Sequence, residues 1–119
     1  MELKDYKELV VWQKSIELVK EVYILTKLLP KEEMYGLTSQ MRRASVSIPS
    51  NIAEGYKRQG LGEYIQFLKI AEGSAAELET QTIIAKSLYT MIDFSKTERL
   101  LLEVQKMLFA MTSKLNTKR

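Results

Sequence analysis

The sequence predicts an all-α protein, an up-down-up-down antiparallel four-helix bundle whose second helix is kinked. Apolar residues recur three and four positions apart in four segments, and no segment alternates apolar and polar residues as a strand would. The connectors between these segments are short, which favours antiparallel neighbours around a shared core. A chain of 119 residues suits one domain, so we expect a single domain over residues 1–119. Its helices are predicted at about 8–29, 37–59, 62–89 and 95–116.

The first helix is predicted from a wide apolar face that includes Trp12, Ile16 and Val19. Pro30 ends this helix, because proline lacks the backbone N–H that a continuing helix would use. The residues from Lys31 to Gly36 therefore form the first connector.

The second helix carries Met41, Ile48 and Ile52 on one face, but Pro49 lies inside the pattern. Proline removes one backbone hydrogen bond, so the helix is either kinked there or restarts with Pro49 in its first turn. We favour the kink.

The third helix follows a flexible turn and has the longest regular pattern in the chain. Its apolar and small residues recur at alternating four- and three-residue spacing, which is the seam of a left-handed bundle. The seam residues are Tyr64, Leu68, Ala71, Ala75, Leu78, Thr82, Ala85 and Tyr89.

The fourth helix is predicted to begin at a capping box. Ser95 and Glu98 have the spacing in which the serine accepts from an early N–H and the glutamate reaches back to the cap. Leu101, Val104 and Leu108 continue as its seam.

The composition argues against several classes of function. Cysteine and histidine are both absent, which excludes disulfides, thiol nucleophiles and the usual neutral-pH general base, so we expect no enzyme and no cofactor. The glutamates Glu54, Glu72, Glu77 and Glu79 could form a carboxylate site, but ion pairing with Lys and Arg is favoured over metal.

The charge and the chain ends bear on partners and location. Eighteen Lys and Arg against fifteen Asp and Glu give a net charge of +3, which permits RNA binding without arguing for it. The first residues, Met1 to Tyr6, lack the features of a signal peptide, and no apolar run is long enough to cross a bilayer. We therefore expect a cytoplasmic protein that does not contact a membrane.

Three stretches carry a family resemblance, namely Tyr6–Lys14, Gln40–Gly55 and Tyr64–Thr80. The middle stretch combines Arg-Arg-Ala, a proline inside a helix and Asn-Ile-Ala-Glu-Gly, which generic amphipathic patterning does not produce. In these stretches the chain resembles the four-helix-bundle proteins encoded by intervening sequences of bacterial 23S rRNA genes. The resemblance implies a ring-like homopentamer without known enzymatic activity.

That family is also similar to the accessory variability protein of diversity-generating retroelements, a pentameric bundle that partners a reverse transcriptase and contacts RNA. The present sequence is less basic than that relative. A surplus of apolar residues outside the seams, including Val10, Ile24, Ile84, Leu102 and Phe109, independently suggests that some helix faces meet another subunit.

Four basic residues of the second helix are candidate nucleic-acid contacts: Arg42, Arg43, Lys57 and Arg58. The alternative for Arg42 and Arg43 is ion pairing with Glu77 and Glu79, within or between subunits, and we favour this pairing. Lys57 and Arg58 lie near the turn and are expected to stay free for a ligand. Structural or interface roles are expected for Trp12, Pro49, Asn51, Glu54, Glu77 and Glu79, with Asn51 and Glu54 in a buried polar network that sets helix register.

The leading interpretation is a non-catalytic homo-oligomeric scaffold or adaptor, pentameric by resemblance, that binds RNA or a nucleic-acid-processing protein. The alternative is a purely structural self-associating bundle with no nucleic-acid role. A cation-binding bundle is a third interpretation.

Overall fold

The structure is a computed structural model that describes residues 5–119, and these residues form four α-helices. The helices are α1 (Val10–Thr26), α2 (Leu37–Tyr56), α3 (Leu61–Leu88) and α4 (Ser95–Asn116). Single 3-10 turns occupy Tyr6–Glu8 and Lys31–Glu33, and the described part of the chain contains no strand. The all-α fold with four helices is confirmed. Residues 1–4, which belong to the segment from which we expect no signal peptide, lie outside the described residues.

The four helices enclose one elongated core. α1 and α3 each pack against both α2 and α4 within overall dimensions of 45 × 23 × 22 Å. Every helix contributes side chains that are fully buried, such as Leu18, Ile48, Leu78 and Leu108. Burying such a side chain contributes roughly 1.5–3 kcal/mol, so this core is the main source of stability.

α2 continues through Pro49 from Leu37 to Tyr56, so the alternative of a restart at Pro49 does not occur. Two side chains next to the proline donate hydrogen bonds to backbone carbonyls of α2. Ser50 Oγ donates to Val46 O at 2.8 Å, and Asn51 Nδ2 donates to Ser47 O at 2.8 Å. These bonds supply additional donors to α2 carbonyls near the residue that has no N–H.

α2 and α3 approach closely near their shared turn. A Cβ added to Gly55 would lie 2.7 Å from the Cβ of Phe67 and 3.3 Å from the carbonyl oxygen of Tyr64. Such distances are below normal van der Waals contact, so only glycine fits at this position without movement of α3. Further along the same seam, the hydroxyls of Ser47 and Ser74 lie 2.8 Å apart and form a hydrogen bond.

The predicted capping box at α4 is wrong. The helix begins one residue earlier than a Ser95 cap requires, with Phe94 at the cap position and no side-chain bond from it. The carboxylate of Asp93 accepts from the Ser95 backbone N–H at 2.9 Å, and this bond lowers the pKa of Asp93. Glu98 instead accepts from Lys86 Nζ at 3.2 Å. A tertiary ion pair with Lys86 has therefore replaced the local capping hydrogen bond that the sequence suggested for Glu98.

Glu33 links the first connector to the start of α2 and to the end of α3. Its Oε1 accepts from the Leu37 backbone N–H at 3.2 Å, which caps α2, and its Oε2 accepts from the hydroxyl of Tyr89 at the end of α3. The hydrogen bond to Glu33 raises the pKa of Tyr89 to about 12. The Tyr89 hydroxyl therefore keeps its proton to a higher pH than an ordinary tyrosine does.

Candidate nucleic-acid interface

The two adjacent arginines of α2 face different neighbours. Arg42 turns toward α1, where its Nε donates to Thr26 Oγ1 at 2.9 Å and its guanidinium lies 4.5 Å from the centroid of the Tyr23 ring. Successive helix residues point about 100° apart, since an α-helix has about 3.6 residues per turn, so Arg43 points elsewhere. The predicted pairing of Arg42 with Glu77 or Glu79 within one subunit is therefore wrong.

Arg43 is exposed and lines a cavity between α2 and α3 of about 360 Å³. We call this the polar cavity; its lining residues are Gln40, Arg43, Ala44, Ser47, Glu77 and Gln81. Among residues 5–119, no carboxylate lies within ion-pair distance of Arg43, although Glu77 lines the same cavity. Glu79 accepts instead from Gln105 Nε2 at 3.3 Å. Pairing of Arg43 between subunits stays a prediction.

Lys57 and Arg58 lie at the end of α2 in a second, open depression. This basic depression is lined by Tyr6, Ala53, Glu54, Lys57 and Arg58 and has a volume of about 500 Å³. Lys57 Nζ lies 6.0 Å from the centroid of the Tyr6 ring. No sequence signal indicates that Tyr6 would reach α2, because Tyr6 lies outside the periodic pattern of α1.

Arg58 is not free, contrary to the prediction. Its Nη2 lies 3.7 Å from Glu54 Oε1, and its guanidinium lies 4.9 Å from the centroid of the Phe67 ring. Both members of the ion pair are about half exposed, and such pairs contribute roughly 0–1 kcal/mol. A phosphate could therefore replace the Glu54 carboxylate at small cost.

An apolar groove between α1 and α2 leads into the basic depression. The two share Tyr6 and Ala53, and the groove is further lined by Trp12, Ile16, Val19, Val46, Pro49 and Ser50. Trp12 is half-buried, and the centroid of its ring lies 5.5 Å from that of Tyr6 in an edge-to-face contact. Trp12 and Pro49, which the sequence singled out separately, thus line one surface.

Asn51 and Glu54 do not share a network. Asn51 is half-buried and donates to Ser47 Oγ at 3.0 Å, which extends the Ser47–Ser74 bond between α2 and α3. Glu54 is exposed and pairs with Arg58 on its own helix. The polar link between the two helices therefore includes Asn51, while Glu54 belongs to the basic depression.

Large apolar side chains are exposed on the far side of the molecule, on α3 and α4. Leu102 and Phe109 are 52% and 68% exposed and are seven residues apart, so they lie on one face of α4. Ile83 of α3 is 60% exposed and lines a groove with Leu102. We call these three residues the α3–α4 apolar face.

Within residues 5–119, no three or more acidic side chains come together as a group that could hold a metal ion. No described helix combines the length and apolar character that crossing a bilayer would need.

The comparisons with known proteins agree on one family. The family described as 23S rRNA-intervening sequence protein matches residues 7–110. A crystal structure from Bacteroides thetaiotaomicron, a protein of unknown function from the S23 ribosomal protein family, is 26% identical and superimposes with a TM-score of 0.76. That match covers 87% of this chain and 98% of the other. No curated protein matches. Since the family match spans most of the chain, the protein belongs to the 23S rRNA-intervening sequence protein family.

Proposed function

We propose that this protein is a non-catalytic, homo-oligomeric scaffold, a ring-like pentamer of up-down-up-down bundles, whose assembled surface binds RNA. The observation that carries the proposal is the α3–α4 apolar face, because three large side chains more than half exposed on one side of a small bundle favour burial against another chain. The absence of His and Cys supports a role without catalysis.

The antiparallel arrangement of each bundle is supported by the contacts between helices. The end of α2 meets the start of α3, where Gly55 approaches Phe67. The end of α3 meets the start of α4, where Lys86 pairs with Glu98. Lys96 at the start of α4 pairs with Glu21 in the second half of α1. Pro49 inside α2 supports a kink there, since its ring crowds the carbonyl four residues earlier.

RNA binding is supported by the basic depression. Lys57 and Arg58 are exposed at one end of α2, and Tyr6 offers an aromatic ring beside them. Lysine and arginine bind phosphates, and aromatic rings stack on unpaired bases. The binding surface of one subunit is weak alone, but several copies in one ring would bind a single RNA together. The similarity to the retroelement accessory protein belongs to this proposal as well.

Assembly is tested by light-scattering mass after size exclusion, at low and high salt, against the chain mass of 13.8 kDa. We expect about five chain masses, stable to salt, because apolar contacts are not screened as charges are. Phe109→Lys should lower the mass. Met91→Lys is the matched control, since Met91 is 97% exposed but lies in a loop. A monomer at all concentrations would contradict the ring.

RNA binding is tested by fluorescence anisotropy with a labelled single-stranded RNA over a salt series. Affinity should fall with salt, and Lys57→Ala with Arg58→Ala should make the salt dependence shallower, by about 0.7 in slope for each phosphate that the variant no longer binds. The control pair Lys20→Ala with Lys69→Ala removes two lysines elsewhere on the surface and should leave the slope unchanged. An oligomer without any RNA affinity would favour the purely structural bundle.

A further inference from the structure

The polar cavity has walls of opposite hydrogen-bonding character. On the α2 side, Arg43 can only donate, and on the α3 side the ionised carboxylate of Glu77 can only accept. The two groups line the same cavity without forming an ion pair among the described residues. A guanidinium and a carboxylate facing one space are thus both available to a molecule between them.

Gln81 leaves part of its amide unsatisfied at this place. The residue is only 8% exposed, and its Oε1 is buried without a hydrogen-bond partner in the part of the chain that the structure describes. A buried acceptor without a partner costs about 1–3 kcal/mol. Gln81 also lines the polar cavity, so its amide adds an acceptor without a partner to the α3 wall. Gln40 supplies a second amide on the opposite wall.

The two walls of the polar cavity are joined by hydrogen bonds in which Arg43, Glu77 and Gln81 take no part. The Ser47–Ser74 hydrogen bond of 2.8 Å joins α2 to α3 beside the cavity, and Asn51 donates to Ser47 at 3.0 Å. Ala44, which is buried, adds an apolar surface. The cavity is therefore a feature of two packed helices and not of a loop.

Of the four bases of RNA, guanine best matches a cavity with an acceptor, Glu77, on one wall and a donor, Arg43, on the other. Its N1–H and N2–H are adjacent donors that one carboxylate accepts together, and its O6 and N7 are adjacent acceptors that one guanidinium binds together. Adenine, cytosine and uracil do not carry N–H donors at two neighbouring ring positions together with an adjacent pair of acceptors. A volume of about 360 Å³ is also within the range of small-molecule sites and admits one base, not a duplex.

We propose that the polar cavity binds one unpaired guanine base of single-stranded RNA, with Glu77 on the N1–H and N2–H edge and Arg43 on O6 and N7. This inference rests on the proposed RNA binding and adds base specificity to it. Unpaired bases are the usual target of sequence-specific RNA recognition, because their edges are accessible. The basic depression then binds phosphates, and the polar cavity selects the base.

The test is competition anisotropy with uridine-rich RNAs that carry one central guanine, inosine or adenine. The guanine RNA should bind about 10- to 100-fold more tightly than the adenine RNA, as expected for a bidentate base contact. Inosine lacks the N2 amino group and should lie between them. Glu77→Gln keeps the side-chain size and should reduce the preference, because it removes the acceptor for N1–H and N2–H and leaves the Arg43 contact in place. Glu79→Gln is the matched control, because Glu79 is on the same helix but bonds Gln105 instead.

The outcomes separate the two proposals. RNA that binds equally well with guanine or adenine would overturn the base site and leave RNA binding standing. A guanine preference that Glu77→Gln leaves unchanged would also overturn it. Titration calorimetry with free GMP and AMP distinguishes the source: GMP binding without any RNA affinity would overturn the RNA source and the proposed RNA function. A preference for guanine RNA that Glu77→Gln reduces, together with weaker GMP binding by that variant, supports the inference.

Discussion

The two seams on either side of α3 are built on different principles. Toward α2, the contact is close: Gly55 leaves no room for a Cβ, and small side chains such as Ser47 and Ser74 meet directly. Toward α4, long polar side chains bridge the exposed rim, as Lys86 does with Glu98, while Ile83 and Leu102 remain exposed.

The two seams should therefore differ in what a substitution changes: the stability of the bundle at one, and its association with another chain at the other. Where small residues pack closely, each added atom lowers the stability of the fold. Long flexible side chains at an exposed rim can be replaced with little loss of stability. The α2 seam is therefore where substitutions should alter the fold. The α4 seam, where Ile83 and Leu102 are exposed, is where they should alter association with another chain.

The largest effect is expected from Gly55→Ala. The new Cβ would lie 2.7 Å from the Cβ of Phe67, and relief requires movement of α3 because the neighbouring atom is not a flexible chain end. Overpacking of this kind costs about 1–3 kcal/mol, whereas replacing glycine in a helix gains about 1 kcal/mol of helix propensity. The free energy of unfolding, measured with urea, should therefore fall by up to about 2 kcal/mol.

Gly73→Ala is the matched control in α3. Nothing lies within 4 Å of the Cβ that it would add, and its backbone has no positive φ. The same chemical change should therefore raise the free energy of unfolding by about 0.5–1 kcal/mol. If both alanine variants changed stability in the same direction, the close-packed α2 seam would be refuted.

A smaller effect is expected from the bond between the serine hydroxyls of the α2–α3 seam. In a double-mutant cycle of Ser47→Ala and Ser74→Ala, the coupling free energy should be about 0.5–1.5 kcal/mol. Ser47→Ala should cost more than Ser74→Ala, because Asn51 also donates to Ser47 Oγ. Additive single effects would mean that the two hydroxyls do not bond.

The smallest effect is expected at the rim of the other seam. Lys86 Nζ lies 3.2 Å from Glu98 Oε2, but the two side chains are 58% and 40% exposed. The coupling between Lys86→Ala and Glu98→Ala should be below about 0.5 kcal/mol and should vanish in roughly 1 M salt. A coupling as large as that of the serine pair would remove the contrast between the seams.

The helices could be predicted from the sequence because they depend on the spacing of apolar residues along a short stretch of chain. Six of the residues assigned to the α3 seam are buried, from Leu68 to Ala85, and α3 itself runs from Leu61 to Leu88. Helix ends were less readable. The Ser95–Glu98 motif satisfies the capping spacing, yet Glu98 has a lysine from another helix within reach, and that tertiary partner decided its conformation.

The candidate site was harder to read than the fold. Periodicity locates an apolar stripe, but it does not say which of two adjacent polar residues will face a given neighbour. Arg42 contacts Tyr23 and Thr26 of α1, whereas Arg43 is the one of the two arginines that lines the polar cavity. The basic depression depends on Tyr6, whose position follows from a turn before α1 and not from any helical pattern.

The short connection between α2 and α3 has a consequence for the route by which the chain folds. Only residues 57–60 separate the two helices, so bringing them together closes a small loop and loses little chain entropy. Contacts between sequence neighbours form rapidly, whereas the bond of Glu33 to Tyr89 must wait for distant parts of the chain to meet. The α2–α3 hairpin is therefore the expected folding nucleus, onto which α1 and α4 dock.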